Sequence, residues 1–301
     1  MNRLRIAVCD DNKTEYDHIV EILNASGITA DCEYFSNGRD FLDHYFASCF
    51  DLVLLDIYME GLSGIETAEE LRRTDNTVPI AFITSSPDHA MDGYRLHIDR
   101  YLQKPLSEEP LKEICELAAL RLAARPALLL KIDGKDTHLP YDSIIYIEQN
   151  GHSVCFHMIS GDCPKRTGHL EDLVSMLPDH FLHCHKSYLV NLKHVIALDS
   201  ELNCFTMLGG EPAHIRRSSL KDAKQILLRD KRFLQVNRNA LINMDHIVNF
   251  EKDSCELTGG SRFPVSSRDI HEVNRIRKNY IFEKLQKTFD HTKHGKEQTQ
   301  I

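Results

Sequence analysis

The stretch Asp51-Leu-Val-Leu-Leu-Asp56 most limits what this chain can become. Four consecutive apolar residues closed by a carboxylate suit a strand buried on both faces, and such a strand needs helices above and below it. Open parallel sheets of this kind collect their functional groups in the crevice at the carboxyl ends of the strands. Asp56 stands at such an end, and the turn-rich segment from Ile57 through Gly61 and Gly64 leads into a helix.

The flanking sequence repeats the pattern. Leu4–Cys9 is a buried strand followed at once by Asp10 and Asp11, and residues 13–25 place Ile19, Val20, Ile22 and Leu23 at helical spacing. A second strand falls around Cys32–Phe35, and Ser36-Asn37-Gly38 caps a helix through Tyr45. After the Asp51–Leu55 strand come a helix over Ile65–Arg72, a strand over Val78–Thr84, a helix over about 87–95, a strand over Arg100–Gln103 and a helix over Leu106–Leu122. This alternation implies a parallel α/β sheet covered on both faces.

Asp10, Asp11, Asp56, Thr84 and Lys104 all fall at strand ends. Three carboxylates at one edge repel one another and favour a divalent cation, and Mg2+ prefers oxygen ligands and pairs naturally with phosphate. A phosphoryl group on Asp56 would add roughly −1.5 to −2 charges. Lys104 would then supply a point cation and Thr84 a hydroxyl donor. Taken singly, an Asp after a strand is most often a cap or turn residue; five such matches in order carry more weight.

These residues resemble the receiver domain of two-component response regulators over about residues 4–122. The matching motifs are Cys9-Asp10-Asp11, Leu55-Asp56-Ile57-Tyr58-Met59 with Gly61 and Gly64, Thr84-Ser85-Ser86, and Tyr101-Leu-Gln-Lys104-Pro105. The resemblance implies a five-stranded, flavodoxin-like parallel sheet over residues 1–124. It implies Asp56 as phosphoacceptor, Asp10 and Asp11 as the acidic pocket, and Thr84 and Lys104 as phosphate-sensing groups. Tyr101 is implied as the switch aromatic, Mg2+ is expected on Asp11, Asp56 and the Tyr58 carbonyl, and Lys104-Pro105 is expected to be cis. A phosphatase with an Asp-x-Asp nucleophile loop is the competing chemistry. Tyr58 stands where its second Asp, the general acid, is needed, so no enzyme is expected.

Arg125-Pro126 ends the last helix, and beyond it the period changes to short strands. Leu128–Asp133, Gly134-Lys135 and His138-Leu139 form a hairpin signal. Strands follow at Ser143–Glu148 and Val154–His157, a helix at His169–Met176, strands near Phe181, Val195–Leu198 and Phe205–Leu208, and a helix over Ser219–Leu228. This mostly-β composition excludes a helix-turn-helix module. Ile144-Ile-Tyr-Ile-Glu148 and the stretch from Phe181 through His-Cys-His-Lys-Ser-Tyr-Leu-Val-Asn191 to Val195 resemble the LytTR family of DNA-binding domains, over about residues 127–228. That family lays loops into successive major grooves. The resemblance therefore implies DNA contacts at His152, at His185, Lys186 and Ser187, and at Arg216 and Arg217. His183, His185 and His194 alternate with apolar residues and have no carboxylate or cysteine at ligand spacing, which favours packing over a metal site.

Residues 233–274 resemble 181–224, with Phe233–Ile247 aligned on Phe181–Val195 and Gly259-Gly260 on Gly209-Gly210 after a two-residue shift. No second Tyr-Ile-Glu segment precedes Phe233, so residues 229–286 are expected to be a partial repeat of the C-terminal half. The first copy is expected to complete the fold begun at 127. The second is expected to lie at a sheet edge, with Arg238, Asn239 and Arg268 as further DNA contacts. The polar stretch 287–301 is expected to be a disordered tail.

Charge separates the two halves. Residues 1–124 carry 11 Lys+Arg against 23 Asp+Glu, a net of −12, and residues 125–301 carry 25 against 22, a net of +3, which suggests different partners. Nine cysteines without a Cys-x-x-Cys spacing argue against a zinc or dithiol site. No run approaches the roughly 18 apolar residues of a membrane span, and no secretory signal is evident, so a cytoplasmic protein with no membrane partner is expected. The expected function is a phosphorylation-dependent transcriptional response regulator. Its expected partners are a sensor histidine kinase, double-stranded DNA, and a second copy of itself on phosphorylation. The alternative is a receiver-controlled signalling adaptor whose altered C-terminal half binds protein.

Overall fold

A computed structural model describes residues 3–46, 48–85, 96–251, 253–266 and 270–297, with Thr74 and residues 284–297 described by backbone alone. The helix expected over about 87–95 lies outside the described residues. The chain divides into two units, Met1–Pro126 and Ala127–Ile301.

In the first unit, β1 (Leu4–Cys9), β2 (Ala30–Phe35), β3 (Leu52–Asp56), β4 (Ile80–Thr84) and β5 (Arg100–Gln103) form one parallel sheet in the order β2-β1-β3-β4-β5. β3 and β4 are buried at every residue, as their unbroken apolar runs require. Helices α1 (Lys13–Ala25) and α4 (Glu108–Ala124) seal one face, with Ile19, Leu23, Leu111, Ile114 and Ala118 packed on Ile6, Val8, Leu52 and Leu54. Helix α2 (Gly38–His44) brings Phe41 against Phe35 and Phe50 and lies beside α3 (Gly64–Thr74). Asn12 caps α1, and Ser63 and Glu66 form a capping box on α3. The strand order reverses between β1 and β3, so their carboxyl ends open the crevice where ligands of such sheets bind.

Gly64 fixes how closely α3 starts behind Asp56. A Cβ on it would overlap the Asp56 carbonyl carbon and oxygen, which are backbone and cannot swing aside. Gly64→Ala is expected to lower the urea midpoint by the equivalent of roughly 1–3 kcal/mol, as other overpacking changes do. An unchanged midpoint would show that α3 can retreat freely.

The second unit is built from one motif used three times: a hairpin, a 3-10 turn, a three-strand meander and a helix. The first copy holds β6 (Ala127–Ile132), β7 (Lys135–Pro140), β8 (Ile144–Asn150), β9 (Ser153–Met158), β10 (Lys165–Thr167) and α5 (Glu171–Val174). The second holds β11 (Phe181–His185), β12 (Tyr188–Asn191), β13 (Val195–Asp199), β14 (Cys204–Met207), β15 (Pro212–His214) and α6 (Leu220–Arg229). The third holds β16 (Phe233–Gln235), β17 (Ala240–Asn243), β18 (Ile247–Phe250), β19 (Ser254–Leu257), β20 (Arg262–Pro264) and α7 (Ile270–Glu297).

The second and third hairpins each pair with the meander of the copy before them. The sheets are ordered β10-β9-β8-β12-β11 and β15-β14-β13-β17-β16, with β6-β7 and β18-β19-β20 at the ends. The hairpin starting at Phe233 thus occupies a sheet edge, on a sheet whose other three strands come from the second copy. The repeat is threefold rather than a duplicated half, because β13 stands where β8 stands. Val195-Ile-Ala-Leu-Asp199 and Ile144-Ile-Tyr-Ile-Glu148 share only an apolar run ending in an acid, which hid the correspondence. Helix α7 continues through Glu297, so the stretch from 287 is helical to that residue rather than disordered. Extending a formed helix needs only one more hydrogen bond per residue and no new nucleus.

One buried amide locks the second hairpin, and another the third, onto the preceding meander. Asn191 Nδ2 donates to the carbonyls of Ile144 (2.8 Å) and Tyr141 (3.1 Å), and Asn243 Nδ2 donates to Val195 (3.2 Å). Their Oδ1 atoms accept from the N–H groups of Lys193 and Asp245. Neither side chain has an unmet partner to disfavour its burial.

His194 is 7% exposed, and its Nε2–H donates to the Asp142 carbonyl at 2.7 Å. Burial pushes its pKa down to about 4, with Asp142 opposing the shift. The unfolded chain protonates this ring near the ordinary value of about 6.5, and the folded chain only near 4. This contribution to stability is whole above about pH 6.5 and is lost as pH falls from there to about 4. In His194→Gln, which keeps an N–H donor, roughly 3 kcal/mol of the pH dependence in that window is expected to vanish. Unfolding free energies of wild type and variant across pH measure the difference, and parallel curves would refute it.

Candidate functional sites

The acidic pocket is assembled by three strand ends. Asp10 follows β1, Asp56 ends β3 and Lys104 follows β5. Asp10 is 0% exposed and Asp56 5%, while Asp11 faces solvent. Oxygen atoms of Asp10, Asp11 and Asp56 all lie within 4.8 Å of one another. Lys104 Nζ spans the pocket, 3.0 Å from Asp10 Oδ2 and 2.9 Å from Asp56 Oδ2. The backbone holds the remaining oxygens: Asn12 N–H donates to Asp10 Oδ1 at 2.9 Å, Tyr58 N–H to Asp56 Oδ1 at 3.3 Å, and Glu60 N–H to Asp11 Oδ2 at 3.3 Å.

Burial pushes the Asp56 carboxyl above the usual carboxylate range, with Asp10 adding to the rise and Lys104 opposing it. Burial would lower Lys104, but hydrogen bonds to Asp56 and Asp10 outweigh it and hold the ammonium above its ordinary value. One ammonium against three carboxylates leaves an excess of negative charge on hard oxygen donors. That donor set fits Mg2+, which keeps part of its water shell and bridges readily to phosphate.

Thr84 ends β4 at 3% exposure, and its carbonyl accepts from Lys104 N–H at 2.8 Å. Tyr101 lies beside Phe82 on the neighbouring strand, with ring centroids 5.6 Å apart in an edge-to-face arrangement. Tyr58 is 49% exposed. The Lys104-Pro105 bond is cis.

In the second unit, most of the residues expected to contact DNA sit at turns that hydrogen bonds join. His185, Lys186 and Ser187 form the tip between β11 and β12. Ser187 N–H donates to His185 Nδ1 at 3.2 Å, and the Ser187 carbonyl accepts from Gln149 N–H at 2.8 Å. Arg216 N–H donates to the Cys184 carbonyl at 3.0 Å, which places the Arg216-Arg217 turn against the same tip. Burial and then Arg216 push the His185 pKa down, so the ring is neutral and accepts at Nδ1. Lys186, Arg216 and Arg217 are exposed.

His152 is exposed in the β8–β9 turn, where its carbonyl accepts from Gly168 N–H at 3.0 Å. Arg238 is exposed at the β16–β17 tip, whereas Asn239 Nδ2 donates to Glu201 Oε2 at 3.1 Å. Arg268 lies outside the described residues. Among the described residues, no His, Cys, Asp or Glu of this unit joins a group of metal-ligand geometry.

Gln149 escaped the sequence analysis. Its amide donates to the carbonyls of Gly151 (2.7 Å) and Gly168 (3.1 Å) and accepts from Leu170 N–H (2.6 Å), holding the His152 turn in place. Two of these partners lie about twenty residues away, beyond any local pattern.

The geometry agrees with what this chain is similar to. A model of the response regulator receiver domain matches residues 6–116, and a model of the LytTr DNA-binding domain matches residues 134–228 and again 217–278. The second of these matches reaches across the third copy. The sensory transduction protein LytT of Oceanobacillus iheyensis is 26% identical over 200 residues, 63% of this chain and 81% of that protein. The transcriptional regulatory protein LytR of Staphylococcus aureus is 21% identical over 241 residues, 73% of this chain and 98% of that protein. Among solved structures, the response regulator protein TrrA from Thermotoga maritima in complex with Mg2+ and BeF is 30% identical with a TM-score of 0.35, covering 38% of this chain and 98% of that one. The two family models, in this order and together spanning most of the sequence, make this chain a member of the two-component response regulators that join a receiver domain to a LytTR domain and regulate transcription.

Proposed function

We propose that Asp56 accepts a phosphoryl group from a sensor histidine kinase and that the modified protein binds specific duplex DNA through the tips of its β unit. The observation that carries this reading is Lys104 Nζ spanning Asp10 and Asp56, with Asp11 completing the carboxylate group. A carboxylate oxygen of Asp56 attacks phosphorus; the new O–P bond forms as the N–P bond to the kinase histidine breaks, and that histidine leaves as the nitrogen base. Asp11, Asp56 and the Tyr58 carbonyl would hold Mg2+, which when bound offsets charge on the transferred group. Asp10 and the Asp11 carboxylate keep the pocket electronegative enough to attract it.

Lys104 and the Thr84 hydroxyl then turn to the phosphoryl oxygens, and Tyr101 repacks beside Phe82. That change favours pairing of two receivers, and a homodimer holds two DNA sites at raised effective concentration. His152, His185, Lys186, Ser187, Arg216 and Arg217 are the proposed contacts. Exposed cations suit phosphates, and the polar groups between them suit base edges. The protein acts in the cytoplasm, where kinase and DNA are both reached.

Selection of duplexes from a random pool by the full chain, with and without an acyl-phosphate donor and Mg2+, tests the reading. One enriched sequence, bound more tightly with donor, is expected. Failure to enrich any sequence would overturn it in favour of a protein-binding adaptor.

A further inference from the structure

The third copy repeats, bond for bond, the contacts that set the tip of the second. Gln149 N–H donates to the Ser187 carbonyl at 2.8 Å, and Ser200 N–H donates to Asn239 at 2.8 Å. Arg216 N–H donates to Cys184 at 3.0 Å, and Ser266 N–H to Val236 at 2.8 Å. Ile215 N–H donates to Asn203 at 3.0 Å, and Val265 N–H to Asp253 at 2.8 Å. Gly168 N–H and the His152 carbonyl make the corresponding bond in the first copy. The tips of the second and third hairpins are therefore held in the same way, each accepting from a residue at the end of the first meander strand of the copy before it. In this register Arg238 stands where Lys186 stands, and Asn239 where Ser187 stands.

We propose that the third tip is a further phosphate contact on the same duplex, with Arg238 gripping the sugar–phosphate backbone beyond the stretch held by the second tip. The proposal rests on the DNA reading above and extends it by one step of the repeat. Arg238 is exposed, and its guanidinium has no ion-pair or hydrogen-bond partner among the described residues. Lys193, Lys231, Arg232, Arg262 and Arg275 in the same unit are all ion-paired. Lys224 Nζ donates to the Arg238 carbonyl at 3.2 Å and sets a second positive charge beneath the tip.

The amides around Arg238 are already engaged. Asn237 Oδ1 accepts from the N–H groups of Asn239 and Ala240, its Nδ2 donates to Pro264, and Asn239 Nδ2 is held by Glu201. They shape the tip and are not available as a base-reading pair. With no free amide beside it to complete a base-reading group, the guanidinium is assigned to the sugar–phosphate backbone, where a contact adds affinity without sequence information. This assigns Arg238 to affinity and footprint length and removes Asn239 from base recognition.

The test uses the full chain and a duplex it has enriched from a random pool, with hydroxyl-radical footprinting and affinity measured across salt. In Arg238→Ala, protection is expected to shorten on one side of each bound subunit's site only, the salt slope to fall by about one per bound subunit, and the enriched sequence to stay the same. Arg238→Lys should restore the footprint, and Asn239→Ala should leave the enriched sequence unchanged. Trimming the DNA on that side should weaken wild type and have no further effect on Arg238→Ala. An unchanged footprint and slope in Arg238→Ala would overturn the proposal while leaving the DNA reading standing. A wild-type protein that protects no duplex would remove both.

Discussion

Asp56→Asn is expected to abolish phosphoryl uptake completely while leaving the first unit folded. Incubated with an acyl-phosphate donor and Mg2+, the wild-type chain should gain the mass of one phosphoryl group and the variant none. The amide keeps the shape of the carboxylate but lacks the nucleophilic oxygen anion. Little stability is at stake, because burial already drives Asp56 toward its neutral form and the pocket holds three carboxylates against one ammonium. Removing a like charge from such a group relieves repulsion. The thermal midpoint should therefore be equal to wild type or higher. Full mass gain in the variant would move the acceptor elsewhere and break the link between the pocket and the signal.

The triple change Lys186→Ala, Arg216→Ala and Arg217→Ala is expected to weaken binding to every duplex alike and to lower the salt slope by about three. All three side chains are exposed around one tip, and the bond that sets the Arg216 turn is made by its backbone, so the fold survives. A thermal midpoint matching wild type serves as the control. A salt slope that stays unchanged would show that duplex DNA does not lie against this tip. A loss confined to one base sequence would instead make these residues readers of base edges.

The first unit was legible because its information is local. The apolar runs at Ile6–Cys9, Leu52–Leu55 and Ile80–Ile83 are each followed by a polar residue, and a parallel sheet must bring those ends to one edge. The pocket therefore follows from strand order alone. The distances could not be inferred from that pattern. Lys104 Nζ reaches both Asp10 and Asp56 because β1, β3, β4 and β5 have a definite register, set by packing among residues far apart in sequence. The closeness of Gly64 to the Asp56 backbone belongs to the same category.

The second unit was only partly legible. Phe181–Asn191 and Phe233–Asn243 share enough residues to expose their kinship, whereas β8 and β13 share only an apolar pattern. Hairpin exchange between successive copies leaves no local trace, since the residues that recognise each other are 47 or 48 positions apart, as in Asn191 with Ile144 and Asn243 with Val195.

The chain's own order of residues settled the nature of its elements, the three acids and the lysine at the strand ends, and the kinship of the hairpins, because periodicity and motif are properties of neighbours in sequence. Folding alone decided that the second and third hairpins would each sit on the preceding meander, and that the Arg238 guanidinium would be left without a partner among the described residues. These depend on backbone pairing and burial between distant segments, and such pairing is chosen by the free energy of the whole unit rather than by any one stretch.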